Sequence, residues 1–127
     1  MSSAPEPGHA AYLVASDHDR HGRELEAIPN YEEALALGLC DAERQGALLG
    51  LGSSLRNVGR NADAVRVLRD AVNAFPEDAA LAAFLGLALY SAGDARAAVV
   101  ALLDLTLRHA PVGPYSRALT AYRDALP

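Results

Sequence analysis

Lysine is missing altogether: all 11 basic residues are arginine, against 16 acidic ones, for a formal net charge of −5. Binding to a phosphate backbone needs a basic surface, so nucleic acid is not an expected partner. Tryptophan is also absent, whereas alanine fills 27 positions, a composition that favours helix and depletes strand. Cysteine occurs once, at Cys40, which rules out an internal disulfide. A lone cysteine reads as a small apolar residue in a reducing compartment. Long hydrophobic runs are lacking too. The most apolar stretch, Leu81 to Leu107, is interrupted by Asp94, Arg96 and Asp104, short of the roughly 18 to 20 unbroken residues of a membrane span. The start, MSSAPEPGHAAYL, has no basic segment followed by an apolar one, so no secretion signal and a cytoplasmic location are expected. Residues 1–8, with two prolines and little to bury, are expected to form a flexible tail ahead of a single domain over 9–126.

What is present is a repeat. Shifted by 34 places, Leu51, Gly52, Leu55, Gly59, Ala64, Val65, Leu68 and Asp70 fall on identical residues, Leu85, Gly86, Leu89, Gly93, Ala98, Val99, Leu102 and Asp104. A fixed period of that length marks a repeat architecture. Shifted by 37, Gly22, Ala27, Tyr31 and Ala34 align with Gly59, Ala64, Leu68 and Ala71 as a weaker first copy. The three extra residues are expected in the connection Gly38 to Arg44, where an insertion costs little. Each unit reads as helix, turn, helix. Gly22, Gly59 and Gly93 close the first helices, where a left-handed residue is wanted, and Pro76 and Pro111 follow the second helices. Pro29 is expected near the start of its helix, where the lost amide matters least. After PVGP, Tyr115, Ala118, Leu119, Tyr122 and Leu126 share one face of a seventh, amphipathic helix, expected as a cap.

On these residues the chain resembles the tetratricopeptide-repeat family, in a small stand-alone bacterial form. The family's signature is a bulky residue, Leu-Gly three places on, a Tyr, then an Ala, an aromatic and a Pro. The second unit matches it with Leu48, Leu51-Gly52, Leu55, Ala64, Leu68, Ala71 and Pro76. The third has Ala82, Leu85-Gly86, Leu89, Ala98 and Leu102, with its proline one place late at Pro111. The first has Ala11, Val14-Ala15, His18, Ala27, Tyr31 and Ala34, and no closing proline. The resemblance implies an all-α, right-handed superhelix of three hairpins, about 9–41, 45–78 and 79–112, with a capping helix over 115–126.

Gly52 tests that implication. A mid-helix glycine costs roughly 1 kcal/mol against alanine, so either a ligand or another helix must approach it. A phosphate loop needs glycines between a strand and a helix and a following Lys, none of which exists here. Its recurrence as Gly86, with Ala15 in the first unit, points to a close helix crossing.

Chemistry-bearing patterns are few. Asp17, His18, Asp19, His21 and Glu24 gather residues that hold metals elsewhere, but with no further ligand constellation they read as the polar end of a helix. No metal site and no cofactor are assigned. Nucleophile elbows, Cys-His pairings and carboxylate pairs in apolar surroundings are absent from the sequence, and a non-enzymatic protein is expected. The resemblance instead places binding on the concave side, lined by the first helix of each hairpin. Those residues are Tyr12, Ser16, Asp19 and Arg20; Leu49, Ser53, Arg56 and Asn57; and Ala83, Leu87 and Tyr90. Family members that clamp a C-terminal carboxylate use Lys and Asn. Here the matching places hold Tyr12, Ser16, Leu49, Ser53, Ala83 and Leu87, so no such clamp is expected. Leu81 to Gly93 and Ala98 to Leu107 are apolar on nearly every side and require cover from two directions. The expected function is a scaffold binding a protein or peptide in the groove. The alternative is a self-associating homodimer whose groove or third unit is closed by its own copy.

Overall fold

In the computed structural model, which describes residues 4–127, seven α-helices follow one another: α1 (His9–Arg20), α2 (Glu24–Leu37), α3 (Asp41–Asn57), α4 (Asn61–Ala74), α5 (Ala79–Ser91), α6 (Ala95–His109) and α7 (Ser116–Asp124). A single 3-10 turn, Gly113–Tyr115, leads into the last. No strand occurs among the described residues. The helices pair as the hairpins α1–α2, α3–α4 and α5–α6, each packed on its neighbour in sequence. Of the expected flexible tail, residues 1–3 lie outside the described residues. Gly8 is buried, and its amide donates to the Gly38 carbonyl at 2.9 Å beyond the end of α2.

The three hairpins turn by one device. Gly22, Gly59 and Gly93 have φ of +72°, +85° and +88°. Each glycine amide donates three residues back, to Asp19, Arg56 and Tyr90, and the next amide donates five back, to His18, Leu55 and Leu89. This paired bonding satisfies carbonyls that a helix end leaves open, and only glycine enters that conformation at little cost. The first unit, weakest in sequence, has the same turn as the other two.

Two details differ from expectation. The connection between the first two hairpins is only Gly38, Leu39 and Cys40, and the extra residues instead lengthen α3 to 17 residues against 13 in α5. Asp41 and Glu43 occupy its first turn, where their charge complements the helix dipole and no breaker stands in the way. Pro29 is the sixth residue of α2, too deep for a first-turn proline, so the Leu25 carbonyl loses its helical donor. Both Pro29 and Leu25 lie on the exposed face of α2, where water reaches that carbonyl.

Glycine packing holds the second and third hairpins closed. A Cβ built on Gly52 would stand 2.6 Å from Leu68 Cδ2, and one built on Gly86 would stand 2.9 Å from Leu102 Cδ2. The crossing predicted from the recurrence is therefore present in both units. Its consequences differ, because Leu68 is 0% exposed and Leu102 40%. Helix α5 covers the α3–α4 hairpin, whereas α7 touches only α6. The expected cap is loose: Tyr115 and Tyr122 are each 70% exposed, and α7 docks through Arg123, paired with Asp104, and through the Leu126 carbonyl, which accepts from Arg96.

Two stability changes follow. Gly52→Ala is expected to cost about 1–3 kcal/mol in urea denaturation, since Leu68 has no room to yield. Gly86→Ala is expected to hold or raise stability by up to about 1 kcal/mol, since the half-exposed Leu102 can move aside and alanine is the better helix former. Ser54 is fully buried on α3 with an unpartnered Oγ, and Ala88 occupies the same place in the third unit. Ser54→Ala is expected to stabilise the fold by about 1 kcal/mol, read as a raised melting temperature.

Candidate functional site

The first helices α1, α3 and α5 touch in succession, which aligns the residues expected to line a groove. At the α1 end, most of them are engaged in holding the fold. Tyr12 packs its ring 6.3 Å from that of Tyr31, centroid to centroid, with the planes inclined at 49°. Both rings lie against α3, where a Cβ on Gly46 would collide with Tyr12 and one on Gly50 with Tyr31. The two glycines, one helical turn apart, leave a flat strip for the two phenols. The Tyr31 hydroxyl then reaches Asp19 Oδ2, donating at 2.7 Å, so this carboxylate anchors α2 to α1.

The remaining residues divide along the groove. Arg20 is exposed and pairs with Asp17 at 3.4 Å. Leu49 packs on the core from α3, and Ser16, Ser53 and Ala83 are half-buried. Arg56 Nε donates to Ser91 Oγ at 2.8 Å, and Asn61 Nδ2 donates to the Ser91 carbonyl at 3.1 Å, which ties the second hairpin to the end of α5. Asn57 is exposed beside it. On α5, Leu87 is 43% and Tyr90 69% exposed, with no covering element. The groove is thus polar and internally bonded at its α1 end, and apolar and open at α5.

Sequence reasoning passed over Tyr31, Gly46, Gly50, Asn61 and Ser91 as residues that shape this surface. The spacing of Gly46 and Gly50 was a visible signal of close approach. The partnership of Arg56 with Ser91, 35 residues apart, had none.

The histidine and carboxylate cluster at the end of α1 is arranged for a turn. Asp17 is met by Arg20, His21 and Arg23 at 3.4, 3.6 and 3.5 Å. His18 Nδ1 accepts from Arg23 Nε at 2.9 Å. Two guanidiniums on the central carboxylate repel a cation, and among the described residues no group of three or more His, Cys, Asp or Glu is placed to hold a metal ion.

A family profile described as "Tetratrico peptide repeat" matches residues 8–126. The chain belongs to the tetratricopeptide repeat family. Its members generally act by binding other proteins. No curated protein matches this chain. In this tetratricopeptide-repeat protein no helix among the described residues is long and apolar enough to cross a membrane.

Burial of the Tyr31 phenol, reinforced by its bond to Asp19, raises its pKa above the ordinary 10.0. The folded state therefore keeps this proton more tightly than the unfolded chain. The resulting stability is complete below pH 10 and is lost as pH rises beyond it. Tyr31→Phe is expected to cost about 1 kcal/mol at pH 7 through the lost hydrogen bond and to flatten the alkaline decline, checked by urea titrations between neutral and alkaline pH. An equally steep decline in the variant would place its origin elsewhere.

Proposed function

We propose that this protein is a non-enzymatic adaptor of the cytoplasm, needing no cofactor, that binds a peptide or protein segment along α1, α3 and α5. The observation that carries the reading is the exposure of Leu87 and Tyr90 on a helix whose other large side chains, Leu81, Phe84, Leu85 and Leu89, are buried or half-buried. An aliphatic and an aromatic side chain left open together on one helix mark an interaction surface rather than a solvated face. Arg56 and Asn57 on the adjacent helix offer donors to a backbone carbonyl or an acidic side chain, while Asp19 and Tyr12 are occupied. A fitting segment has one or two apolar side chains for α5 and polar groups towards α3 and α1. Aromatic anchors dominate the energy of such interfaces, and losing one costs about 2 kcal/mol or more.

Peptides selected from a random display library on the whole protein supply the test. Leu87→Asp and Tyr90→Asp are each expected to weaken a selected peptide at least ~30-fold in fluorescence anisotropy, with unchanged circular dichroism. Leu25→Asp, on the exposed face of α2, serves as the control and is expected to bind as wild type. Unaltered affinity in both groove variants moves the site away from α5.

Self-association is the second reading, favoured by the contrast between Leu68 and Leu102. The third hairpin displays the residues that α5 covers on the second, and α7 leaves them open. In that reading a second copy supplies the cover, the mass in sedimentation doubles between dilute and concentrated samples, and Leu102→Glu returns it to that of one chain.

A further inference from the structure

Away from the groove, a cavity of about 540 Å³ opens at the base of the third hairpin, between the start of α5, the end of α6, the end of α4 and α7. Its origin is legible in the repeat. The second hairpin packs Leu48, Val67 and Phe75 against the core. Displaced by 34 residues, the same positions hold Ala82, Ala101 and His109, all of which line the cavity. Three large apolar groups are replaced by two methyls and an imidazole; Leu105 and Leu107, opposite Ala71 and Asn73 in the repeat, add some volume back, and Arg108, opposite Ala74, adds a charged side chain. The size falls among small-molecule pockets, about 300–1,000 Å³.

The polar groups at the rim are specific. Arg123 lines the cavity from α7, but Asp104 and Asp124 both pair with it, so its charge is answered within the protein. Arg108 differs. Its Nη1 donates to the Pro76 carbonyl at 2.7 Å, a neutral acceptor, and among the described residues no carboxylate pairs with it. An uncompensated guanidinium therefore stands over an apolar hollow in a protein whose net charge is −5. Guanidinium selects carboxylate geometry through its fork of donors.

We propose that this cavity is a second binding site, for a small aliphatic carboxylate whose hydrocarbon body lies against Ala82, Leu85, Ala101 and Leu105 while its carboxylate meets Arg108. The site is separate from the groove on α1, α3 and α5 and does not depend on any partner bound there.

Octanoate, octanol and octylamine, titrated calorimetrically into the whole protein, test it. Saturable one-to-one binding of octanoate is expected, at least tenfold tighter than octanol, with no saturable binding of octylamine. Arg108→Gln is expected to lower octanoate affinity about tenfold and leave octanol unchanged, because only the charge recognition is removed. Ala82→Leu with Ala101→Val rebuilds the packing of the second hairpin. It is expected to raise the melting temperature and abolish binding of both octanoate and octanol. Three probes binding alike, no saturable octanoate binding, or octanoate affinity in Arg108→Gln equal to wild type would overturn the proposal. Should the filled variant fail to fold, Arg108→Gln, a change at the rim, still decides.

Discussion

The distance between helices is the constraint on which the rest depends. Gly52 and Gly86 let the two helices of a hairpin lie close enough for a leucine of one to cover the backbone of the other. Gly46 and Gly50 do the same between hairpins, giving Tyr12 and Tyr31 a surface without side chains. Each glycine sacrifices about 1 kcal/mol of helix propensity; Gly52 recovers it through the burial of Leu68, whereas Gly86, against the half-exposed Leu102, does not. Helices held at that separation fix where their outer residues stand.

Hydrogen bonds then lock what packing has approximated. Tyr31 to Asp19, and Arg56 with Asn61 to Ser91, join elements through buried or half-buried polar groups. Bonds of this kind contribute little net energy but penalise any register that leaves a group unpaired. They also occupy Asp19 and part of Arg56, while the ring of Tyr12 is packed against Tyr31. Of the eleven positions expected to line a groove, Leu87 and Tyr90 on α5 are exposed and apolar, with Asn57 exposed on α3 beside them.

The end of the stack behaves differently from its middle. In the register of the repeat, Tyr115, Leu119 and Tyr122 succeed Leu81, Leu85 and Ala88, so α7 carries the pattern of another first helix. It nonetheless contacts α6 without reaching α5. Bulky tyrosines replace an alanine and a leucine, and Arg123, standing where Leu89 would repeat, directs the helix to Asp104. The third hairpin is left with Leu102 half open, where the identical Leu68 of the second is buried, and with the cavity beneath Arg108, where the residues differ.

Helix number, the three glycine turns and the close crossing at Gly52 were legible in the sequence because each rests on local chemistry. A left-handed residue, a missing Cβ and an apolar period act within a few residues of themselves. The repeat of 34 residues carried the same reading from one hairpin to the next. Tertiary structure alone decided which groove residues are free, since Asp19 is taken by a tyrosine 12 residues away and Arg56 by a serine 35 away. It alone placed the extra residues in α3 rather than in the loop, and turned the apolar face of α7 outward. Burial depends on what the next helix covers, and the same leucine is core at position 68 and surface at 102 because only one of them has a neighbour.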